Sequence, residues 1–478
     1  MITYDLAGQK QNGYLFSDFS GSVGATYQPA SIADSPYKFD FNLADLSYYI
    51  TNNIANLQKS AEGRGLVRYI NSESKFLHGN AQGSLGLMLS LPRKQAINIR
   101  YGIRAIGSSG EISPNFISGL NRFGGLSFLN TNRQNESVQF NFGLWQELAF
   151  TYAGVLKDNG FNRWKMGVTV KGINPNASAW IDANDIDYQI DQTGNALFSD
   201  FNIQAGFSES FAAFENFDGN DAFAFPSGTG FKPAADIGLV YERVAYRPSP
   251  KDEAKTSLER DITYEFRIGL SITDMGWMTF DAAQASFAST SLRAGIGATD
   301  FDAFFDGTDN FRQLRDSLET ILNVNNVAGT YTVSLPTALN LNYDYNSGDN
   351  WFINVAAQMD LTGLMPVDYR INYPTNITIT PRYETGMKGF YLPIFYNFDG
   401  DMEVGMGFRY GPFTLGTQSL GGIFAKEKVS GGAFFSINLR QLKANSAKPY
   451  CFGSSRTGSA FVRTQRTPIY KRKKFLFF

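Results

Sequence analysis

One cysteine and one histidine in 478 residues leave almost nothing for a disulfide framework or a zinc site, because both need several thiolates or imidazoles at one point. Charge is also sparse. Only 18% of residues are Asp, Glu, Lys or Arg, and the net charge of −2 supplies no field to attract nucleic acid. No apolar run approaches the roughly eighteen residues of a membrane-spanning helix. A barrel is not excluded by this, since its strands give only alternate residues to lipid, and a mean hydropathy of −0.23 suits it. The first twenty residues, MITYDLAGQKQNGYLFSDFS, show no basic stretch followed by an apolar one, the form of a secretory signal.

What is abundant is Phe (42), Tyr (24) and Gly (47), a composition of strands and turns. Two-residue alternation recurs along the chain. In 262–273, Tyr264, Phe266, Ile268, Leu270 and Ile272 fall on one side, with Glu265, Arg267, Gly269, Ser271 and Thr273 on the other. RWKMGVTVKG (163–172) and DMEVGMGFRY (401–410) repeat the separation. Many runs are longer than the five or six residues usual in soluble sheets. About ten residues rise roughly 33 Å, and at a tilt of ~45° they cover ~23 Å of height, close to the apolar band of an outer-membrane barrel.

The apolar faces carry Trp164, Tyr241, Tyr264, Tyr343 and Tyr410 near strand ends, as an interfacial girdle would. The polar faces carry Gly, Asn, Ser and Thr with scattered charges. In a barrel those charges must point inward, which makes Asp236, Glu242, Glu265, Arg267 and Arg409 candidate lumen-lining residues. The fold expected is all-β: a single closed antiparallel transmembrane β-barrel of about 12–14 strands with short loop or plug helices. A soluble secreted β-sandwich binding module is the alternative. DNFRQLRDSLETIL (309–322) has a helical apolar stripe and would lie in a loop or plug, narrowing the lumen, and 43–58 is a second candidate helix. Polar stretches at 174–200, 209–231, 244–260 and 283–309 read as loops. The division expected is an N-terminal segment 1–27, a barrel 28–440 and a basic tail 441–478 without regular structure. The hairpin NITITPRYETGMKGFYLPIFYN (376–397) should place Arg382 and Glu384 near a barrel end, with Pro381 at a strand end or bulge.

Three stretches invite chemistry. His78 would need a nucleophile in reach; Ser84 and Ser90 are near in sequence, but no G-x-S-x-G elbow surrounds either. FDGND (217–221) could offer oxygen ligands to calcium but lacks the spacing of an EF-hand loop. GMGFRYG lies within a strand pattern and is no phosphate loop. Neither catalysis, a cofactor nor a metal is expected.

QPASIADSPYKFDFNL (28–43), WQELAFTYAGVL (145–156), KMGVTVKGI (165–173), ADIGLVYE (235–242), LPTALNLNYDY (335–345), TPRYETGMKGFYLPI (380–394) and GMGFRYGPFTLGTQSLGG (405–422) resemble, in order and spacing, a family of Bacteroidota outer-membrane β-barrels catalogued as a domain of unknown function. Gln28 stands where that family opens with Asn-Pro-Ala. The resemblance implies an exported barrel in the cell outer membrane, with architectural kinship to the long-chain fatty-acid channel family and to the barrel accessory of type IX secretion. Its partners would be the outer-membrane bilayer and either a hydrophobic small molecule or a secretion partner protein. The function expected is a non-enzymatic barrel admitting or transporting small or hydrophobic molecules, or a plugged barrel binding a partner in secretion or surface assembly.

Overall fold

A computed structural model describes residues 13–52, 55–59, 65–69, 77–113, 130–192, 196–211, 228–244, 264–291, 293, 311–398, 402–420 and 431–442. Fourteen antiparallel strands form one closed wall. In chain order they are β1 (Tyr37–Asn52), β2 (Leu77–Leu91), β3 (Gln95–Ile112), β4 (Thr131–Asp158), β5 (Asn162–Ile190), β6 (Lys232–Val244), β7 (Tyr264–Asp281), β8 (Ala338–Gly348), β9 (Trp351–Asp360) and β10 (Asn376–Glu384). β11 (Lys388–Tyr391 and Ile394–Asn397) and β12 (Met402–Val404 and Met406–Tyr410) are each broken once, and β13 (Phe413–Thr417) and β14 (Gly431–Leu442) complete the wall. Each pairs with the next, and β14 returns to β1 from Tyr37↔Leu442 to Ile50↔Gly431, so no edge remains.

The alternation read from sequence has a definite sense. Along β5, Lys165, Thr169 and Lys171 are buried while Trp164, Val168 and Val170 are exposed, Val170 at 60%. The wall is polar inside and apolar outside, the reverse of a water-soluble sheet protein. Outward aromatics gather near one end: Trp164 packs on Tyr241, Tyr241 on Phe266 and Phe266 on Tyr343, and Trp351 meets Tyr383 further round. The same end, the short-turn end, carries short turns at 92–94, 159–161, 349–350, 385–387 and 411–412, with the 245–263 connection between β6 and β7 the long exception. Among the described residues no helix is long and apolar enough to cross a membrane.

Two expected helices differ. The described residues of 43–58 are not helical; β1 runs to Asn52 and Ala55–Lys59 is a strand. A register shift between Asn42 and Asp45 leaves Leu43 and Leu46 outward at a spacing of three, which imitates a helical stripe. The helix expected over 309–322 is α1 (Phe311–Ile321), but it packs on the wall's extension and does not narrow the lumen. Its Leu318 and Ile321 join Ala183, Ile186, Tyr188 and Phe287 on an extension of the wall at the long-loop end. That extension is the far half of β5 paired with Ala196–Phe207, so most of the 174–200 stretch is strand. Its polar composition fits a position beyond the apolar band, where neither face meets lipid. The FDGND stretch, much of 244–260 and the tail from 443 lie outside the described residues.

If the outward face meets lipid, Leu270→Arg should destabilise the barrel by about 2–4 kcal/mol, read as a lowered urea midpoint in lipid vesicles. Leu270 stands 42% exposed, with Leu239 and Leu341 beside it in register.

Candidate functional site: a lumen closed from both ends

Residues 13–36 lie inside the wall rather than in it. They add no strand to the sheet and bury Tyr14, Leu15, Phe16, Phe19, Val23, Tyr27, Ala30 and Ile32 in the short-turn half. The sequence explains the fit. Gln28 caps the turn Pro29–Ile32 through Ala30 N, and its Nε2 donates to the carbonyls of Leu239 (3.3 Å) and Leu270 (3.1 Å). The backbone of Pro29–Ala30 rests on Gly167, where an added Cβ would come within 2.4–2.5 Å of it, and Gly238 is paired with Gly167 on the neighbouring strand. Only glycine allows so close an approach. Ser271 Oγ donates to the Tyr27 carbonyl at 2.6 Å. Burial pushes the Tyr27 phenol up, so it stays protonated, and its oxygen has no hydrogen-bond partner among the described residues.

The long-loop half is filled by a second insert. Strand Thr330–Ser334 pairs antiparallel with the end of β7 and parallel with Tyr369–Arg370. Ile371 and Tyr373 then enter an apolar cluster with Ile106, Trp145, Trp180, Met278 and Phe280. Asn372 N donates to Ser108 Oγ at 2.9 Å, which fixes the insert against β3.

Between the inserts runs a buried polar belt. Arg100 pairs with Glu147 at 2.6 Å, and Glu147 with Arg104 at 3.2 Å. Arg104 meets Asp274 at 2.9 Å, and Lys171 bridges Asp274 (2.6 Å) and Asp236 (2.7 Å). Arg104 also donates to Tyr373 Oη at 2.5 Å, tying the upper insert to the belt. Three cations face three carboxylates, all from the wall. Asp274 reaches inward because a register shift between Ile272 and Met275 holds it at φ 60°.

A second chain of ion pairs lines the short-turn half. Lys94 meets Asp34 and Asp158, and Arg163 meets Asp34 (3.0 Å), Asp158 (3.1 Å) and Glu242 (3.3 Å). Lys165 adds a 2.6 Å contact to Glu242. Arg267 pairs with Asp18 and, at 3.2 Å, with Asp344. Arg382 continues to Asp344 (2.5 Å) and Glu384 (2.9 Å), and Tyr391 Oη links Glu384 to Arg409. Six cations thus meet four wall carboxylates plus Asp18 and Asp34 of the N-terminal segment. Arg440 and Asp40 form a separate pair at 3.1 Å.

Of the five candidate residues, Asp236, Glu242, Arg267 and Arg409 are buried and face the interior. Glu265 is exposed and points outward. The register shift between Tyr264 and Phe266 inserts one residue there, which turns Tyr264 inward to Asp344 and sends Glu265 out. Arg382 and Glu384 lie beside the 385–387 turn, fully buried yet in ionic company. Pro381 stands opposite the break in β11, where a missing N–H costs no ladder bond. Missed from sequence were Arg100, Arg104, Glu147, Lys171 and Asp274; the first four alternate with outward apolar residues in their strands and so could have been found. His78 is buried in β2, and neither ring nitrogen has a partner among the described residues. No cluster of three metal-ligating side chains occurs among those residues.

These features define a plugged transmembrane β-barrel. The chain belongs to the family of unknown function DUF5723, whose model matches residues 29–418. Among curated proteins no sequence matches it. Among solved structures it is similar to a TodX deltaS2S3 mutant, a monoaromatic hydrocarbon channel, at 10% identity over 92% of this chain and 98% of that one, TM-score 0.42. A Pseudomonas aeruginosa FadL homologue gives 10% identity, the same coverages and 0.39. The Pseudomonas putida toluene transporter TodX gives 10% identity, the same coverages and 0.38. At such values the likeness carries no functional argument, and the fold rests on the strand pairing itself.

Because the belt is buried and balanced, Asp274→Asn should cost about 3–5 kcal/mol by leaving Arg104 and Lys171 undercompensated. Asp158→Asn at the rim should cost about 1 kcal/mol or less. Urea midpoints of the two variants, measured side by side, check the difference.

Proposed function

We propose that this protein is a non-enzymatic outer-membrane barrel that admits small or hydrophobic molecules when its two inserts shift. The observation that carries the reading is how the lumen is closed. The N-terminal segment makes no ladder with the wall and is held by side-chain contacts, one backbone hydrogen bond from Asp34 N to the Lys94 carbonyl and one turn seated on glycines. Such a closure is removable without opening the sheet. Location in an outer membrane is supported by the outward apolar face and by turns that are short in five of the six connections at one end, while six of the seven at the other are longer.

A second reading, a plugged barrel that binds a partner in secretion or surface assembly, is favoured by the extension of β5 with Ala196–Phe207 and α1 beyond the wall. Conductance separates the two. Wild-type protein in planar bilayers should stay near background. Gly167→Val with Gly143→Val should conduct, because valine at 167 meets the Pro29–Ala30 backbone and a Cβ at 143 would lie 2.5 Å from Ile371 Cδ1. A double variant that shows heat-modifiable gel migration, and so is folded, but remains closed would overturn the channel reading in favour of the second.

A further inference from the structure

The ion-pair chain of the short-turn half balances only with the N-terminal segment in place. Its wall part holds six cations and four carboxylates, and the described residues 13–36 carry two charges, Asp18 and Asp34, both negative. Each is set against wall cations: Asp18 on Arg267, and Asp34 on Arg163 and Lys94. By contrast, the central belt balances within the wall alone.

We propose that Arg267, with Lys165 behind it, is an oxyanion-binding site that Asp18 occupies in the closed state. The ligand class is a small carboxylate or phosphate. Three observations converge on the place. Arg267 is 7% exposed, and besides Asp18 it meets Asp344 at 3.2 Å and Glu242 only at 4.0 Å. Both of those carboxylates already serve another cation at shorter range, Arg382 and Lys165 respectively. Without Asp18 the guanidinium would be a buried cation short of one counter-charge, an expensive state that an incoming oxyanion relieves. Finally, a cavity of about 20 Å³ already lies beside Arg267 and Lys165, lined also by Phe16, Ser17, Tyr27, Glu242 and Asn342. It has room for a water molecule, so a larger anion enters only as Phe16 and Ser17 of the segment move away together with Asp18. The segment therefore acts as an internal competitor for anions, coupling their presence to its own release.

This inference rests on the removable closure proposed above, and its test is independent of conduction. The full-length Asp18→Asn variant in detergent removes the carboxylate that competes for Arg267, so an added anion can displace residue 18 and the segment around it. At constant ionic strength, adding inorganic phosphate or, separately, acetate should raise its melting temperature by about 3 °C near saturation. Wild-type protein and Asp18→Asn/Arg267→Gln should not respond. Comparing phosphate with acetate distinguishes the two ligand sources. If Asp18→Asn fails to fold, Asp18→Ser, which likewise removes the carboxylate from Arg267, is measured in the same way with the same expectation. A folded variant indifferent to both anions, or an equal response in Asp18→Asn/Arg267→Gln, overturns the site. Phosphate-dependent stability in a protein whose Gly167→Val/Gly143→Val variant stays closed would sink the channel reading and leave the anion site standing.

Discussion

A charged side chain inside this wall can be neutralised only from inside, because across the apolar band the other face of the strands is apolar. That constraint orders the rest of the structure. Lys165, Lys171, Arg100, Arg104 and Arg267 alternate with outward residues such as Trp164, Val170, Ile99, Tyr101 and Ile268, so each must find a carboxylate across or along the lumen. The carboxylates come from neighbouring strands, from across the lumen (Asp274 to Arg104) and from the N-terminal segment, and the result is two chains of ion pairs running beside the apolar clusters of the two inserts. Such pairs do not add much net stability against an apolar alternative, but breaking one leaves a buried charge, which makes their arrangement specific.

Strand existence and approximate number were legible because a period of two survives in short windows. Val168, Thr169 and Val170 fall on alternate faces of β5 with no reference to its partners, but which face is outside had to be read from run length and from aromatics near strand ends. Register shifts were not legible. One extra residue at Glu265 exchanges the two sides below it, and the shift in β1 gives Leu43 and Leu46 a helical spacing. A bulge depends on what the partner strand does, and that information lies elsewhere in the chain. The extended half of β5 was hidden for a different reason: above the apolar band neither side has to be hydrophobic, so Asn174–Asp185 carries no alternation to read.

The Gln-Pro-Ala sequence at 28–30 could be singled out before its role could be assigned. Proline and a side-chain cap set up a tight turn, but what the turn was for depended on Gly167 and Gly238, well over a hundred residues away. Those glycines sit within strand patterns, where they weaken pairing and are otherwise unfavourable. The seat and the turn explain each other: the wall gives up side chains where the segment brings its backbone close, and the segment spends its capping amide on two wall carbonyls.

The N-terminal segment is also joined to the closing seam. Arg440 on β14, the last strand, pairs with Asp40 on β1, the first, across the junction that completes the barrel. The other oxygen of Asp40 accepts from Ser22 N at 2.8 Å, and Arg440 donates to Tyr14 Oη, both partners belonging to the interior segment. The junction's own ion pair is therefore completed by the plug. A chain that closes with the segment outside would bring β1 and β14 together with Asp40 and Arg440 each missing one polar contact. The seam therefore favours closing around its contents, and the order of the sequence, with the segment preceding every wall strand, makes the plug available before the last strand arrives.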